Sequence, residues 1–182
     1  MLYDLTLKIT PAMANAQGAD VHAPAGHLGT HFDCMDKEFP LSYTRLEAVV
    51  FDVRACAGRE ITCADIPLDG IHAGMFVGFC TGFIEKTGYG TAEYHKAHPV
   101  LSYDLIDALI EKGISIIGID FAGVRRGKEH TPADQHLADH GVFVVENLTG
   151  LDRVIGTSFI NTYPMNYTGV TGLPCRVIAE KD

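Results

Sequence analysis

The stretch SYDLIDALIEKGISIIGID, residues 102–120, decides the fold of this chain. Ser102 is a favourable N-cap for a helix, and Gly113 is a favourable C-terminal stop. Between them the apolar residues recur at the spacing of one helix face, at Leu105, Ile106, Leu109 and Ile110. The run ISIIGID (114–120) then has the continuous apolar character of a strand that is covered on both faces. A helix followed directly by a buried strand predicts an α/β fold.

The flanking segments extend this alternation in both directions. GMFVGFC (74–80) is strand-like, TPADQHL (131–137) predicts a short helix closed by Gly141, and VFVVENL (142–148) predicts another buried strand. The resulting β-α-β-α-β order predicts a mixed, at least partly parallel sheet. Two outer strands are also predicted, EAVVFDVR at 47–54 and CRVIAE at 175–180, the latter completing or edging the sheet.

Length and composition indicate one globular domain over residues 1–182, with 47% hydrophobic and 20% charged residues. The net charge of −9 and the scattered 14 Lys and Arg argue against a nucleic-acid partner and an anionic membrane surface. Because no stretch resembles a membrane span or a signal peptide, we expect a cytoplasmic protein. The five cysteines lack C-x-x-C spacing and are expected to be reduced, mostly buried thiols.

The segment AGHLGTHFD (25–33) carries the clearest chemical signal. It places His27, His31 and Asp33 within seven residues, and Gly29 allows a tight turn between the histidines. Two imidazoles and a carboxylate suit zinc, manganese or iron and leave coordination positions open for water. Since the chain has nine histidines, the spacing alone leaves a metal site and a chance cluster both open.

Two long stretches, residues 7–39 and 83–99, show no regular pattern and are predicted to be irregular loops. Loops longer than about 15 residues inside a compact domain are usually functional. The second stretch contains Tyr89 and Tyr94, which could stack on an aromatic ligand.

Four segments resemble the cyclase-like metal-dependent hydrolases, the family that includes bacterial kynurenine formamidase and isatin hydrolase. GHLGTHFD (26–33) resembles the H-x-G-T-H-x-D motif, with all five fixed residues in register. FCTGFIEKTGYG (79–90), residues 98–120 and GVFVVENL (141–148) resemble the family's T-G strand-loop, its P-x-L-S helix with a G-I-D strand, and its E-N-L strand. The resemblance implies the family's swivelling β/β/α fold.

The resemblance also implies a divalent metal, one ion or a pair, that activates water for attack on an amide. Carried over by position, His27, His31 and Asp33 would be metal ligands, and Glu146 of the E-N-L strand would be another. The implied activity is that of an arylformamidase-like hydrolase with zinc or manganese, acting on a small-molecule substrate of the N-formylkynurenine type in tryptophan catabolism. Family members usually form dimers or larger assemblies, so the resemblance implies a homo-oligomer, a dimer or a tetramer.

Two positions depart from the family motif. The family's D-x-P-x-H, whose final histidine acts on the reacting proton, is DCMDK (33–37) here. Lys37 would need a lowered pKa to act as a base; it could instead stabilise an oxyanion with its charge, or be a solvated surface lysine. The histidine twelve residues before the family's glutamate is replaced by Asp134, which is either a ligand for a hard metal or the third residue of a capped helix.

His136 and His140 stand at i and i+4 on the second predicted helix. Either could replace the missing catalytic base, or both could be surface residues. Asp120, at the end of a buried strand, either supports the site or holds the following loop. No pattern links the remaining histidines to a site: His22, His72, His95, His98 and His130.

Three functions therefore remain open. The first is a metal-dependent amide hydrolase, which the intact metal motif favours. The second is a non-catalytic metal-binding or small-molecule-binding relative, a pseudoenzyme, which Lys37 and Asp134 favour. The third is a metal-dependent cyclisation or dehydration.

Overall fold

The computed structural model of the protein describes residues 1–16 and 19–181. Within them lie eight strands: β1 (Leu2–Asp4), β2 (His31–Asp33), β3 (Arg45–Asp52), β4 (Phe76–Cys80), β5 (Ile116–Ile119), β6 (Phe143–Glu146), β7 (Gly156–Pro164) and β8 (Gly172–Glu180). The same residues form six α-helices: α1 (Pro11–Ala14), α2 (Ala19–His22), α3 (Phe83–Thr87), α4 (Ala92–Ala97), α5 (Tyr103–Glu111) and α6 (His130–Asp139).

The strands form one mixed sheet that closes on itself. Its order is β1-β8-β2-β6-β5-β4-β3-β7, and a further pairing between β7 and β8 closes a ring of seven strands, with β1 paired to β8 beside it. Strands β3 to β6 run parallel to their neighbours within this group. Strand β2 pairs antiparallel with both β6 and β8, and β7 pairs antiparallel with β3 and β8. The closed sheet is a barrel.

Alternating side chains build two apolar clusters, one inside the barrel and one under the helices. The inner cluster receives side chains from strands around the ring, including Phe32, Phe76, Ile116, Val145 and Val177. The outer cluster joins the opposite faces of the parallel strands to α5 and α6, and includes Val77, Ile117, Val144, Leu109 and Leu137. Because both faces are covered, these strands appear in the sequence as continuous apolar runs.

The α/β class and the mixed, partly parallel sheet are confirmed. Ser102 caps α5, since its Oγ accepts a hydrogen bond from the Leu105 backbone N–H at 3.2 Å, and Gly113 follows the helix at φ +70°. The predicted strands correspond to β3, β4, β5, β6 and β8, and the second predicted helix corresponds to α6, with shifts of a few residues at their ends. Barrel closure was not predicted, and the swivelling β/β/α description stays a prediction.

The prediction of two irregular stretches is wrong in part. Residues 7–39 contain α1, α2 and β2, and residues 83–99 contain α3 and α4. These elements are only three to six residues long, which is too short for a periodic pattern to appear. Strands β1 and β7 were also missed. The last strand does more than edge the sheet, because β8 pairs with β1, β2 and β7.

The predicted state of the cysteines is confirmed: four of the five free thiols are buried, and Cys63 is partly exposed. Within residues 1–16 and 19–181, no helix combines the length and apolar character needed to cross a membrane.

Candidate metal centre

The candidate metal centre starts from a cross-strand pair between β2 and β6. In the antiparallel register His31 lies opposite Glu146, so both side chains project from the same face of the sheet. Alternation along β2 turns Phe32 into the barrel and leaves His31 and Asp33 on the outer face. His31 Nε2 lies 3.6 Å from Asp33 Oδ1 and 3.6 Å from Glu146 Oε2. All three polar side chains are buried.

His27 joins this group from the turn that precedes β2. Gly29 forms the turn at φ +72°, a conformation that favours glycine. His27 Nδ1 then lies 3.0 Å from His31 Nε2 and 3.1 Å from Asp33 Oδ1. The other ring nitrogen, Nε2, lies 2.8 Å from Thr171 Oγ1. The imidazole of His27 is thus held by a hydroxyl on one side and directs its second nitrogen at the centre.

Helix α6 supplies the other half of the centre. His130 Nε2 lies 3.0 Å from Asp134 Oδ2 and 3.3 Å from Glu146 Oε1. Asp134 lies in the second turn of α6, because the helix begins at His130 rather than after Thr131. Of the two alternatives for Asp134, the third residue of a capped helix is therefore wrong, and its buried carboxylate lies beside His130 and Asp33.

His130 is the residue of this centre that the sequence analysis missed. No sequence pattern gave His130 a partner, whereas the structure places it one helical turn before Asp134, beside Glu146. The spacing H-x-x-x-D on one helix face was the available signal. This spacing indicates a metal ligand only when Asp134 is already known to face the centre.

The donor set fits a divalent cation. Asp33 Oδ2 and Asp134 Oδ1 are buried without a hydrogen-bond partner among the described residues, and Glu146 Oε1 has the His130 ring 3.3 Å away but no hydrogen bond of good geometry. An unpaired buried carboxylate is costly, and a bound cation would remove that cost. The groups His27–His31–Asp33 and Asp33–His130–Asp134 each bring one ligand atom per residue within 4.8 Å of the others.

The pKa values of the ionisable groups in this centre are shifted because its carboxylates lie close together. Burial and the charge of Asp33 raise the pKa of Glu146 above its ordinary value. Burial lowers the pKa of His31 and of His130, but the neighbouring carboxylates outweigh burial and raise these values to about 9 and about 11. Protons on His31 and His130 thus balance part of the negative charge of the carboxylates. A divalent ion would compete for these positions with protons.

Comparison with known families and proteins agrees with this geometry. A family model named Cyclase, with the description "Putative cyclase", matches residues 3–125, about two thirds of the chain. The chain belongs to the Cyclase family. The matched residues include the motif with His27, His31 and Asp33, while the α6 and β6 half of the centre lies beyond the match.

The relatives of this Cyclase family member are distant in sequence but align with most of its length. The kynurenine formamidase of Bacillus mycoides is 26% identical over 160 residues, which span 84% of this chain and 75% of that protein. The kynurenine formamidase of Bacillus cereus is 27% identical over the same length. A solved structure described as a potential metal-dependent hydrolase with cyclase activity is 25% identical, with a TM-score of 0.78 and coverage of 100% and 98%. Isatin hydrolase A from Ralstonia solanacearum shares the fold at 20% identity, with a TM-score of 0.80 and coverage of 100% and 92%.

Asn147, which directly follows Glu146, hydrogen-bonds to the turn that carries His27 and His31. Its side-chain Nδ2 donates to the Gly29 carbonyl at 2.9 Å, and its Oδ1 accepts from the Tyr94 hydroxyl at 2.5 Å. The same Gly29 carbonyl accepts from His31 Nδ1 at 2.8 Å, which leaves His31 Nε2 facing the centre. Tyr94 is therefore a buried supporting residue rather than an exposed stacking platform.

The second loop tyrosine also contacts the metal motif. The Gly29 backbone N–H donates to the Tyr89 hydroxyl at 2.9 Å. Asp120, by contrast, holds the loop after β4, because its carboxylate accepts from the backbone N–H groups of Thr81 and Gly82 at 2.9 and 2.6 Å. Burial outweighs these hydrogen bonds and raises the pKa of Asp120 to about 7. These contacts are with the loop after β4 and not with the loop that follows Asp120, so they match neither of the two roles predicted for it.

The three predicted catalytic residues make their contacts elsewhere. Lys37 Nζ lies 2.7 Å from Asp139 Oδ1 and 3.0 Å from Asp36 Oδ1, and these contacts raise the pKa of Lys37, which works against a role as a base. His136 Nε2 lies 3.0 Å from Asp107 Oδ1, and His140 Nδ1 donates to the His136 carbonyl at 2.8 Å. Both histidines are exposed, His136 on α6 and His140 directly after it. Among the described residues, neither histidine belongs to a group of potential metal ligands.

A cavity of about 1050 Å³ opens elsewhere, near the ends of β3 and β4. Its lining includes Arg54, Thr81, Phe83 and His98. None of the six metal-centre residues lines it.

Proposed function

We propose that this chain is a metal-dependent amide hydrolase of the arylformamidase type, with zinc or manganese as its cofactor. The observation that carries the proposal is the cluster of His27, His31, Asp33, Asp134 and Glu146, in which all but the partly exposed His27 are buried and several carboxylate oxygens have no hydrogen bond. The similarity to kynurenine formamidases supports an N-formylated aromatic amine such as N-formylkynurenine as the substrate.

Different residues of the chain would have different roles at this centre. A bound divalent ion would polarise a substrate carbonyl and activate water. The Gly29 carbonyl fixes His31 with Nε2 toward the centre, and Thr171 does the same for Nδ1 of His27. His27 is partly exposed, whereas His31, Asp33 and Glu146 are buried, so a substrate would approach past His27.

The absent catalytic histidine requires another proton carrier. Lys37 stays charged through its ion pairs with Asp36 and Asp139, so an electrostatic role suits it better than proton abstraction. A protein in which no group takes this role would be the non-catalytic relative, the second candidate function, which the lysine at position 37 favours.

The test combines metal content with turnover. Protein purified without chelator is analysed for metal, stripped, and reconstituted with zinc or manganese before hydrolysis of N-formylkynurenine is measured. We expect near-stoichiometric metal and metal-dependent turnover. His31→Ala should bind metal at least about 100-fold more weakly, since even outer-shell changes at metal sites cost 10- to 100-fold.

His72→Ala is the matched control, because His72 is exposed and its nearest acidic partner is Glu47. It should bind metal and turn over substrate as the unmodified protein does. Metal binding without turnover of any formamide, lactam or lactone would favour the non-catalytic relative. A product formed by ring closure or loss of water would favour the cyclisation or dehydration reaction. Undiminished metal binding by His31→Ala would contradict the site itself.

A homo-oligomer and a cytoplasmic location stay predictions that follow from the family resemblance and the composition.

A further inference from the structure

We propose that His130 is the nitrogen ligand of a second, oxygen-rich metal position beside the one formed by His27, His31 and Asp33. This second position would prefer Mn²⁺, whereas the first would prefer Zn²⁺. The inference rests on the proposed function, since it assumes that the centre holds metal.

Two sets of ligand atoms meet at Asp33. One set contains His27 and His31, the other contains His130 and Asp134, and both use a carboxylate oxygen of Asp33. Glu146 lies between them, with Oε2 3.6 Å from His31 Nε2 and Oε1 3.3 Å from His130 Nε2. The centre therefore has two clusters of donors that share carboxylates, rather than one ring of donors around a single point.

The second cluster has unpaired donors of its own. Asp134 Oδ1 is buried without a hydrogen-bond partner, and Glu146 Oε1, whose contact in this cluster is His130 Nε2 at 3.3 Å, makes no hydrogen bond of good geometry; both side chains are about 4% exposed or less. His130 is 36% exposed, so an ion could reach the cluster from solvent past its ring.

Gly123 packs directly against the ring of His130. It adopts φ +103°, a conformation that favours glycine, and a Cβ at this position would lie 2.8 Å from both the Arg125 carbonyl oxygen and His130 Nε2. Glycine therefore lets the backbone pass close to the ring nitrogen that faces Asp134.

The two clusters differ in donor chemistry. The first offers two imidazoles and one carboxylate, a set that suits zinc. The second offers one imidazole with the carboxylates of Asp33, Asp134 and Glu146, and oxygen-rich sets suit manganese or magnesium. Asp134 stands where the family motif has a histidine, and His130 lies one helical turn before it. The two neighbouring metal positions would therefore differ in their ligand types.

The test measures the two positions separately. Metal-free protein is titrated calorimetrically with Mn²⁺ alone and with Zn²⁺ alone, and the Mn²⁺-loaded protein is examined by pulsed EPR for coupling to an imidazole nitrogen. We expect His130→Ala to bind Mn²⁺ at least about tenfold more weakly and to lose the nitrogen coupling. Tight binding of the first Zn²⁺ should change less than about twofold.

His136→Ala is the matched control, because this histidine lies on the same helix but pairs with Asp107 on the surface. It should bind both ions as the unmodified protein does. Asp134→Asn provides a second test that keeps the side-chain volume, and it should weaken Mn²⁺ selectively. Circular dichroism of each variant verifies that it folds.

The possible failures are distinguishable. If the unmodified protein binds one ion and His130→Ala leaves its affinity and its EPR signal unchanged, this inference is wrong while the proposed function stands. If the unmodified protein binds neither Zn²⁺ nor Mn²⁺, the proposed function fails and this inference fails with it.

Discussion

Asn147 shows how one residue can hold a site together without touching the reacting groups. It adopts φ 59°, a left-handed conformation that asparagine tolerates better than most residues. Its backbone carbonyl accepts from Thr30 Oγ1 at 2.8 Å, while its amide connects Tyr94 to the Gly29 carbonyl. The residue thereby ties the end of β6 to the turn that carries the first metal ligands.

We predict that Asn147→Asp lowers metal affinity about 10- to 100-fold with little change in backbone conformation. Aspartate tolerates the left-handed conformation, but its carboxylate cannot donate to the Gly29 carbonyl, so two acceptors would face each other. The hydrogen bond that fixes His31 Nδ1 would then be disturbed, and partners of this kind typically contribute that range of affinity.

Calorimetric titration with Zn²⁺ measures the affinity, and ¹⁵N NMR of the imidazoles reports the tautomer of His31. Asn15→Asp is the control, because Asn15 is an exposed residue that follows α1. Unchanged affinity together with an unchanged His31 tautomer would show that Asn147 does not position this ligand.

At the scale of single elements, β5 shows why a buried strand contains glycine. Gly118 has no unusual backbone angle, yet a Cβ there would lie 2.1 Å from Cζ of Phe76 and 3.0 Å from Leu148. The Phe76 ring fills the barrel interior over this position. Glycine at 118 is therefore required by packing rather than by backbone conformation.

We predict that Gly118→Ala lowers the free energy of unfolding by about 1 to 3 kcal/mol, the usual cost of overpacking a core. Gly70→Ala is the matched control, because no atom lies within 4 Å of the position of its Cβ and its φ is not positive. That variant should stay within about 0.5 kcal/mol of the unmodified protein. Chemical denaturation measures both, and equal stability of the two variants would contradict the packing argument.

For the whole molecule, closure of the barrel joins distant parts of the chain. Strand β2, from the first part of the sequence, hydrogen-bonds between β6 and β8, and β7 joins β3 to β8. Loss of any one of the seven ring strands would open the ring. The prediction of one domain over residues 1–182 therefore has a thermodynamic consequence.

We predict that the metal-free protein unfolds in one cooperative transition. Far-UV circular dichroism and tyrosine fluorescence, followed in guanidinium chloride, should give coincident curves, because secondary and tertiary structure would be lost together. The chain contains no tryptophan, so the seven tyrosines provide the fluorescence. Two separated transitions would indicate independently folding parts and would contradict the single domain.

The sequence by itself determined the features that depend on neighbouring residues. The cap and apolar spacing of α5, the continuous apolar strands and the close spacing of His27, His31 and Asp33 are local patterns, so they could be predicted. The resemblance of the segments around them also gave the family, which the match over residues 3–125 confirms.

Only the tertiary structure decided which distant residues meet. The pairing of β2 with β6 places His31 opposite Glu146, and packing of α6 against that face brings in Asp134 and His130. The same packing leaves Lys37, His136 and His140 in surface contacts. Strand register and helix docking depend on the apolar surface that the whole barrel buries. A local sequence pattern does not reveal this total.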